Sequence, residues 1–99
     1  MTPRLLLEPE AEAEFLDGER WYAERSPRIA EAFRSSVART LEVVESAPHS
    51  FPIAVLDIHK ALVRRFPYVV YYVSLPQVTT VIAIIHARRD PRVWQERRR

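Results

Sequence analysis

Residues 78–94 read VTTVIAIIHARRDPRVW, and this run decides how the rest of the chain is read. Val78–His86 is apolar on both faces at its centre, which is the pattern of a strand inside a sheet rather than at its rim. The strand gives way abruptly to His86, Arg88, Arg89 and Asp90, Pro91 breaks it, and Trp94 follows in a short basic tail. Imidazole and guanidinium groups at the mouth of a buried strand stand on a rigid base with water at hand. Such a place suits an anionic partner or a developing phosphoryl charge.

Working backwards, Leu75-Pro76-Gln77 is a turn, and Tyr68–Leu75 (YVVYYVSL) is dense in Tyr and Val, which fit a pleated, half-buried surface. Phe66-Pro67 separates it from a third β-type run, Ile58–Arg65 (IHKALVRR). Residues 48–57, PHSFPIAVLD, carry two prolines and read as a loop. Two helices precede them. Ser26-Pro27 is an N-cap followed by a first-turn proline, and the helix it opens runs to about Ala47, where Pro48 stops it. Ala30, Phe33, Val37, Leu41 and Val44 make its apolar stripe. The earlier helix, from Pro9 to about Arg25, carries Ala11, Phe15, Gly18 and Tyr22 on one face. Gly18 is the only glycine in the chain and costs the helix about 1 kcal/mol relative to alanine, so a close approach by another backbone is one reading of it. Arg4–Leu7 is a short first strand, and Arg92–Arg99 a short polar end. The order β-α-α-β-β-β predicts an α+β domain spanning 1–99, a mostly antiparallel sheet covered by a helical hairpin. The pattern leaves the first strand's place in the sheet open.

With 99 residues there is room for one core, and 47% hydrophobic content suits a packed globule. No cysteine is present, which excludes disulfides and thiol catalysis. The opening MTPRLLLEPE is too short in apolar residues for a secretory signal or a membrane span, so a cytoplasmic protein without membrane partners is expected. The formal net charge of +2 conceals an asymmetry: residues 1–47 hold six Arg against ten acids, net −4, and residues 48–99 hold nine Lys and Arg against three acids, net +6. One basic face is thereby available to nucleic acid or an acidic protein. His49, His59 and His86 lack the spacing of a metal site, and one glycine cannot build a phosphate loop, so neither metal nor cofactor is expected.

Among single residues, His86 reads either as a structural donor to nearby backbone or Asp90, or as an acid–base group, since imidazole titrates near neutrality. Arg88 and Arg89 point to opposite sides if the strand continues, one free to pair with Asp90 and the other left exposed. Arg64 and Arg65 divide in the same way. Trp94 reads as a cap on the core edge, or as a partner anchor if exposed. Trp21 and Tyr22 are neighbours on a helix, so one of them faces out and becomes a contact candidate.

Three segments, WYAERSP (21–27), RRFPYVVYY (64–72) and IIHARRDPRVW (84–94), together resemble the RelE/ParE superfamily of type II toxin–antitoxin toxins, nearest the ParE-like, plasmid-stabilisation branch. The resemblance implies a small cytoplasmic toxin held inactive by a cognate antitoxin in a hetero-oligomeric complex. Operator DNA would be met only indirectly, through the antitoxin. ParE-like members inhibit DNA gyrase; RelE-like members cut mRNA in the ribosome without metal. By that resemblance Arg88 falls on the last-strand arginine of the nucleases and Lys60 near one of their sheet lysines. Their third-strand arginine falls on Val69 and their C-terminal tyrosine on Trp94, an indole that exchanges no proton. Losing such groups weakens catalysis by about 10²–10⁴ each. The expectation is therefore a ParE-like toxin that binds its target through Arg65, Arg88, Arg89, Trp94 and Trp21. The alternatives are a ribosome-dependent endoribonuclease using Arg88, His86 and Lys60, and a non-toxic corepressor.

Overall fold

The computed structural model describes residues 4–98. Its elements are β1 (Arg4–Leu7), α1 (Pro9–Ala23), α2 (Pro27–Ser46), β2 (Ile53–Val55), β3 (Ile58–Leu62), β4 (Tyr68–Ser74), β5 (Val78–His86) and α3 (Arg92–Gln95), followed by a 3₁₀ turn over Glu96–Arg98. One five-stranded sheet has the order β1-β5-β4-β3-β2. β1 runs parallel to β5, and the other neighbours are antiparallel. β5 is thus an interior strand, as its two-sided apolar pattern requires, and the first strand inserts beside it.

Local signals set the helices. Ser26 Oγ accepts the Ile29 N–H at 3.3 Å, and a proline occupies the first turn of both α1 and α2. The stripes foreseen on both helices meet the sheet: Ala11, Phe33, Val37 and Val44 are buried with Val70, Tyr72, Val81 and Ile84 in the main core. Phe33 anchors it, within 5.3 Å of the rings of Tyr22, Phe66 and Tyr68. Each such fully buried side chain stabilises the fold by roughly 1.5–3 kcal/mol. The opposite face of the sheet carries a smaller cluster, with Ile58, Val73, Ile82, Ala83 and Ile85 covered by Trp94 of α3.

Three expectations need correction. Residues 48–57 are not wholly a loop, because Ile53–Val55 pairs with β3. The hairpin turns through Leu56 at φ 53°, a left-handed conformation that leucine does not advertise and Asn or Gly would. The third β-run ends at Leu62 rather than Arg65, since Arg65 adopts φ 72°, which no extended strand accepts. Gly18 meets side chains rather than another backbone: a Cβ there would lie 3.0 Å from Tyr68 Oη and 3.1 Å from Phe33 Cζ.

Candidate functional site

The site follows from how β5 is left at its outer edge. β1 stops opposite Val81, whose carbonyl accepts the Glu8 N–H at 2.9 Å. Just beyond, β5 carries a bulge: Tyr71 pairs with Ala83 and Tyr72 with Val81, leaving Ile82 as the extra residue. From there to His86 no strand among the described residues covers the outer side. Side chains take over the backbone groups. Glu14 of α1 accepts the Ile84 N–H at 3.1 Å, and Arg97 donates to the Ile82 carbonyl at 2.9 Å. Glu14 and Arg97 also bind each other through two hydrogen bonds, of 2.8 and 3.1 Å, nearly out of solvent. Arg97 is accordingly held charged, its guanidinium raised above its ordinary range chiefly by the hydrogen bond to Glu14.

Between this edge and α1 lies a groove of about 530 Å³ whose walls include Trp21, Tyr68, His86, Arg89, Asp17 and Glu14. Trp21 is half exposed, while the adjacent Tyr22 turns into the core. Its indole does not hang free. The Arg25 guanidinium lies 3.5 Å from the ring centroid and donates to the Trp21 carbonyl at 2.6 Å, and Tyr22 abuts it edge-on at 5.0 Å. A large, fixed aromatic surface is therefore presented at little entropic cost to a ligand. At the groove's other end the His86 ring meets Tyr68 edge-on at 5.7 Å. His86 Nδ1 accepts the Arg88 N–H at 3.1 Å, so the neutral ring carries its proton on Nε2. Burial pushes the Tyr68 phenol above its ordinary value, Tyr22 adds to this, and the Arg89 charge pulls part of it back. The groove is apolar in the middle, acidic along α1 and cationic at the tip.

The other expected residues lie around it. The β3–β4 turn sits beside the end of β5, joined by the Tyr68–His86 pair and by the Ala87 N–H on the Pro67 carbonyl at 2.8 Å. Arg65, Arg88 and Arg89 therefore share one exposed end of the sheet, and among the described residues none of them forms a salt bridge. β5 ends at His86, so Arg88 and Arg89 lie in a turn instead of alternating along a strand. Asp90 pairs with neither of them. It binds Arg92 through contacts down to 2.6 Å, which hold its carboxyl well below the usual range, at about 2. His86 does not donate to Asp90 either.

Lys60 is elsewhere, exposed on β3 opposite Tyr71. Trp94 is 4% exposed and stacks on Tyr71 at 3.9 Å, so it caps the second face of the sheet and is not an exposed anchor. Tyr68 and Tyr72 pack toward the helices, and Tyr71 away from them. Val69 is buried. Among the described residues no group of three His, Cys, Asp or Glu side chains is placed to hold a metal ion. No helix there is long and apolar enough to cross a membrane.

Glu14 and Arg97 escaped the sequence reading. Glu14 had a signal, because it lies three residues after Ala11 and four before Gly18, on the buried stripe of α1. Arg97 had none, since it sits in a run of charged residues at the chain's end.

Sheet, hairpin and groove define a small α+β protein with a groove beside a partly uncovered strand. Residues 5–91 match the model of the family described as "ParE toxin of type II toxin-antitoxin system, parDE", and the chain belongs to that family. Among solved structures, one titled "Chromosomal ParDE TA system from P. aeruginosa" superimposes with a TM-score of 0.76 at 12% identity, covering 86% of this chain and 96% of the other. At that identity the likeness is one of fold. No curated protein matches the sequence.

Proposed function

We propose that this chain is a cytoplasmic, ParE-like toxin that arrests growth by binding an essential target, DNA gyrase foremost, and that a cognate antitoxin neutralises it in a hetero-oligomeric complex. The observation that carries the reading is convergence. Trp21 lines one groove with His86 and Arg89, which lie more than sixty residues further along the chain, and Arg65 and Arg88 flank its cationic end. A groove with a fixed indole, a strand edge that no neighbouring strand covers among the described residues, and arginines without salt bridges there suits capture of a peptide segment. The antitoxin segment occupies it in the neutralised complex, and the arginine tip with the groove serves target binding once the antitoxin is gone. Trp94 contributes by holding α3 on the sheet.

Binding rather than chemistry is favoured by the nuclease set itself. Lys60 stands on the Tyr71 face, Val69 is buried where a phosphate-binding arginine would be needed, and the Trp94 ring is locked in a stack. Purified protein is expected to inhibit gyrase supercoiling and to leave translated mRNA intact. Ribosome-dependent cuts that Arg88→Ala abolishes would instead establish the endoribonuclease. Overexpression without antitoxin that does no harm would leave only a corepressor.

A further inference from the structure

The opposite rim of the sheet repeats the same architectural situation with different chemistry. β2 pairs with β3 only alongside Ile58 and His59. Lys60 donates its N–H outward to the Pro52 carbonyl at 3.0 Å, whereas Val63 donates inward to the Tyr68 carbonyl of β4 at 2.9 Å. Backbone groups alternate along a strand, so Leu62, like Lys60, turns its N–H and C=O away from β4. Among the described residues no strand reaches it there. Its side chain alternates with the core-facing Ala61 and Val63 and so belongs to the other face, where it is 69% exposed. What Leu62 presents at the rim is therefore its backbone.

Against that rim α2 forms a second groove, of about 240 Å³, bordered by Leu62, Val43, Phe51, Arg39 and Arg64. Val43 and Phe51 give it an apolar wall. Arg39 and Arg64 are exposed, and among the described residues neither is held by a carboxylate. Two unneutralised guanidinium groups beside an open pair of backbone hydrogen-bonding groups specify a ligand: extended, so as to satisfy the edge, and acidic, so as to satisfy the charge.

We propose that the α2–β3 groove is a second docking edge, which takes an extended acidic segment of a protein partner as an added strand beside Leu62, with its carboxylates on Arg39 and Arg64. Alternate residues of such a strand face α2, where Val43 and Phe51 receive an apolar side chain and Arg39 an acid. This edge lies across the sheet from the Trp21 groove, and the inference stands whether or not that groove binds an antitoxin.

The test uses the full chain, labelled with nitrogen-15, and a peptide of eight residues in which valine and glutamate take turns at every second position with threonine between them, so that one face carries both. The Leu62 amide is expected to shift and to gain protection from exchange. Arg39→Glu and Arg64→Glu should each weaken binding about ten-fold, and Trp21→Ala should leave it unchanged. The same peptide N-methylated at alternate residues, which cannot donate to an edge, should not bind the unaltered protein. That arm decides the matter even where an arginine variant misfolds. An unmoved Leu62 amide, undiminished binding by the N-methylated peptide, equal binding by a valine–lysine peptide, or displacement by a short single-stranded DNA would each overturn the proposal.

Discussion

Glu14→Ala should unfold this protein from its uncovered strand. The Glu14 carboxylate does two things: it accepts the Ile84 N–H at 3.1 Å, and it binds Arg97 with two hydrogen bonds, while the two side chains stay only 12% and 21% exposed. Removing it leaves a buried amide without an acceptor, which costs about 1–3 kcal/mol. It also leaves Arg97 without its counter-charge. Breaking a fully buried pair costs about 3–5 kcal/mol, but this pair is partly exposed, Arg97 keeps the Ile82 carbonyl and can turn toward water, so only about 1 kcal/mol of that applies. A combined loss of about 2–4 kcal/mol follows, and in a domain of this size each kcal/mol lowers the melting temperature by about 4–8 °C. Far-ultraviolet circular dichroism should thus record a fall of at least about 8 °C. Hydrogen exchange should show the Ile84 amide losing protection first. Glu14→Gln, which keeps an acceptor for Ile84 but not the charge, should fall between. A double-mutant cycle with Arg97→Ala should return a coupling above about 1 kcal/mol. A melting point within about 4 °C of the parent, with Ile84 still protected, would show that the clamp contributes nothing and that the edge is held by something else.

Gly18→Ala gains about 1 kcal/mol of helix propensity but drives a methyl against Phe33 and Tyr68, and overpacking of about 1–3 kcal/mol should leave it about 1 kcal/mol less stable. A rise in melting temperature would mean that Tyr68 moves aside freely. Burial pushes the Tyr72 phenol up to about 12 from an ordinary value of 10.0, and the neutral hydroxyl donates to the Pro48 carbonyl at 2.6 Å. Its folded-state pKa is raised, so its contribution is whole below pH 10 and is lost as pH climbs from 10 to 12. Tyr72→Phe should flatten that alkaline decline, seen by chemical denaturation across the range, while costing about 1 kcal/mol near neutrality. Trp21→Ala should weaken antitoxin binding by about 2 kcal/mol or more in titration calorimetry and change stability by less than about 1 kcal/mol, because half of the indole is already in water.

The pairing of two long-range partners explains why some of this could be read early and some could not. The stripes on α1 and α2, the Ser26 cap, the central place of β5 and the proline stops are local consequences of side-chain period and backbone chemistry, and a linear text contains them. The resemblance carried by residues 21–27, 64–72 and 84–94 is likewise written in order along the chain. It named the family before any geometry was known. Two strands escaped full description for local reasons of a different kind. Leu56 and Arg65 enter left-handed conformations that their residue types do not announce, so the β2–β3 hairpin and the early end of β3 had no signal.

What sequence could not contain was which groups meet. Nothing local places Glu14 against Ile84 or Arg97 against Ile82, separated by 70 and 15 residues, because the need for them arises only once β1 ends short and β5 bulges. Nor could it say that Trp21, not Tyr22, stays in water, or that Trp94 lies down on Tyr71. Residue order determined the family, the elements and the sign of the charge at each end. Tertiary structure alone decided the groove, since a groove is made of strand edges left unpaired, and whether an edge is paired depends on partners distant in the chain.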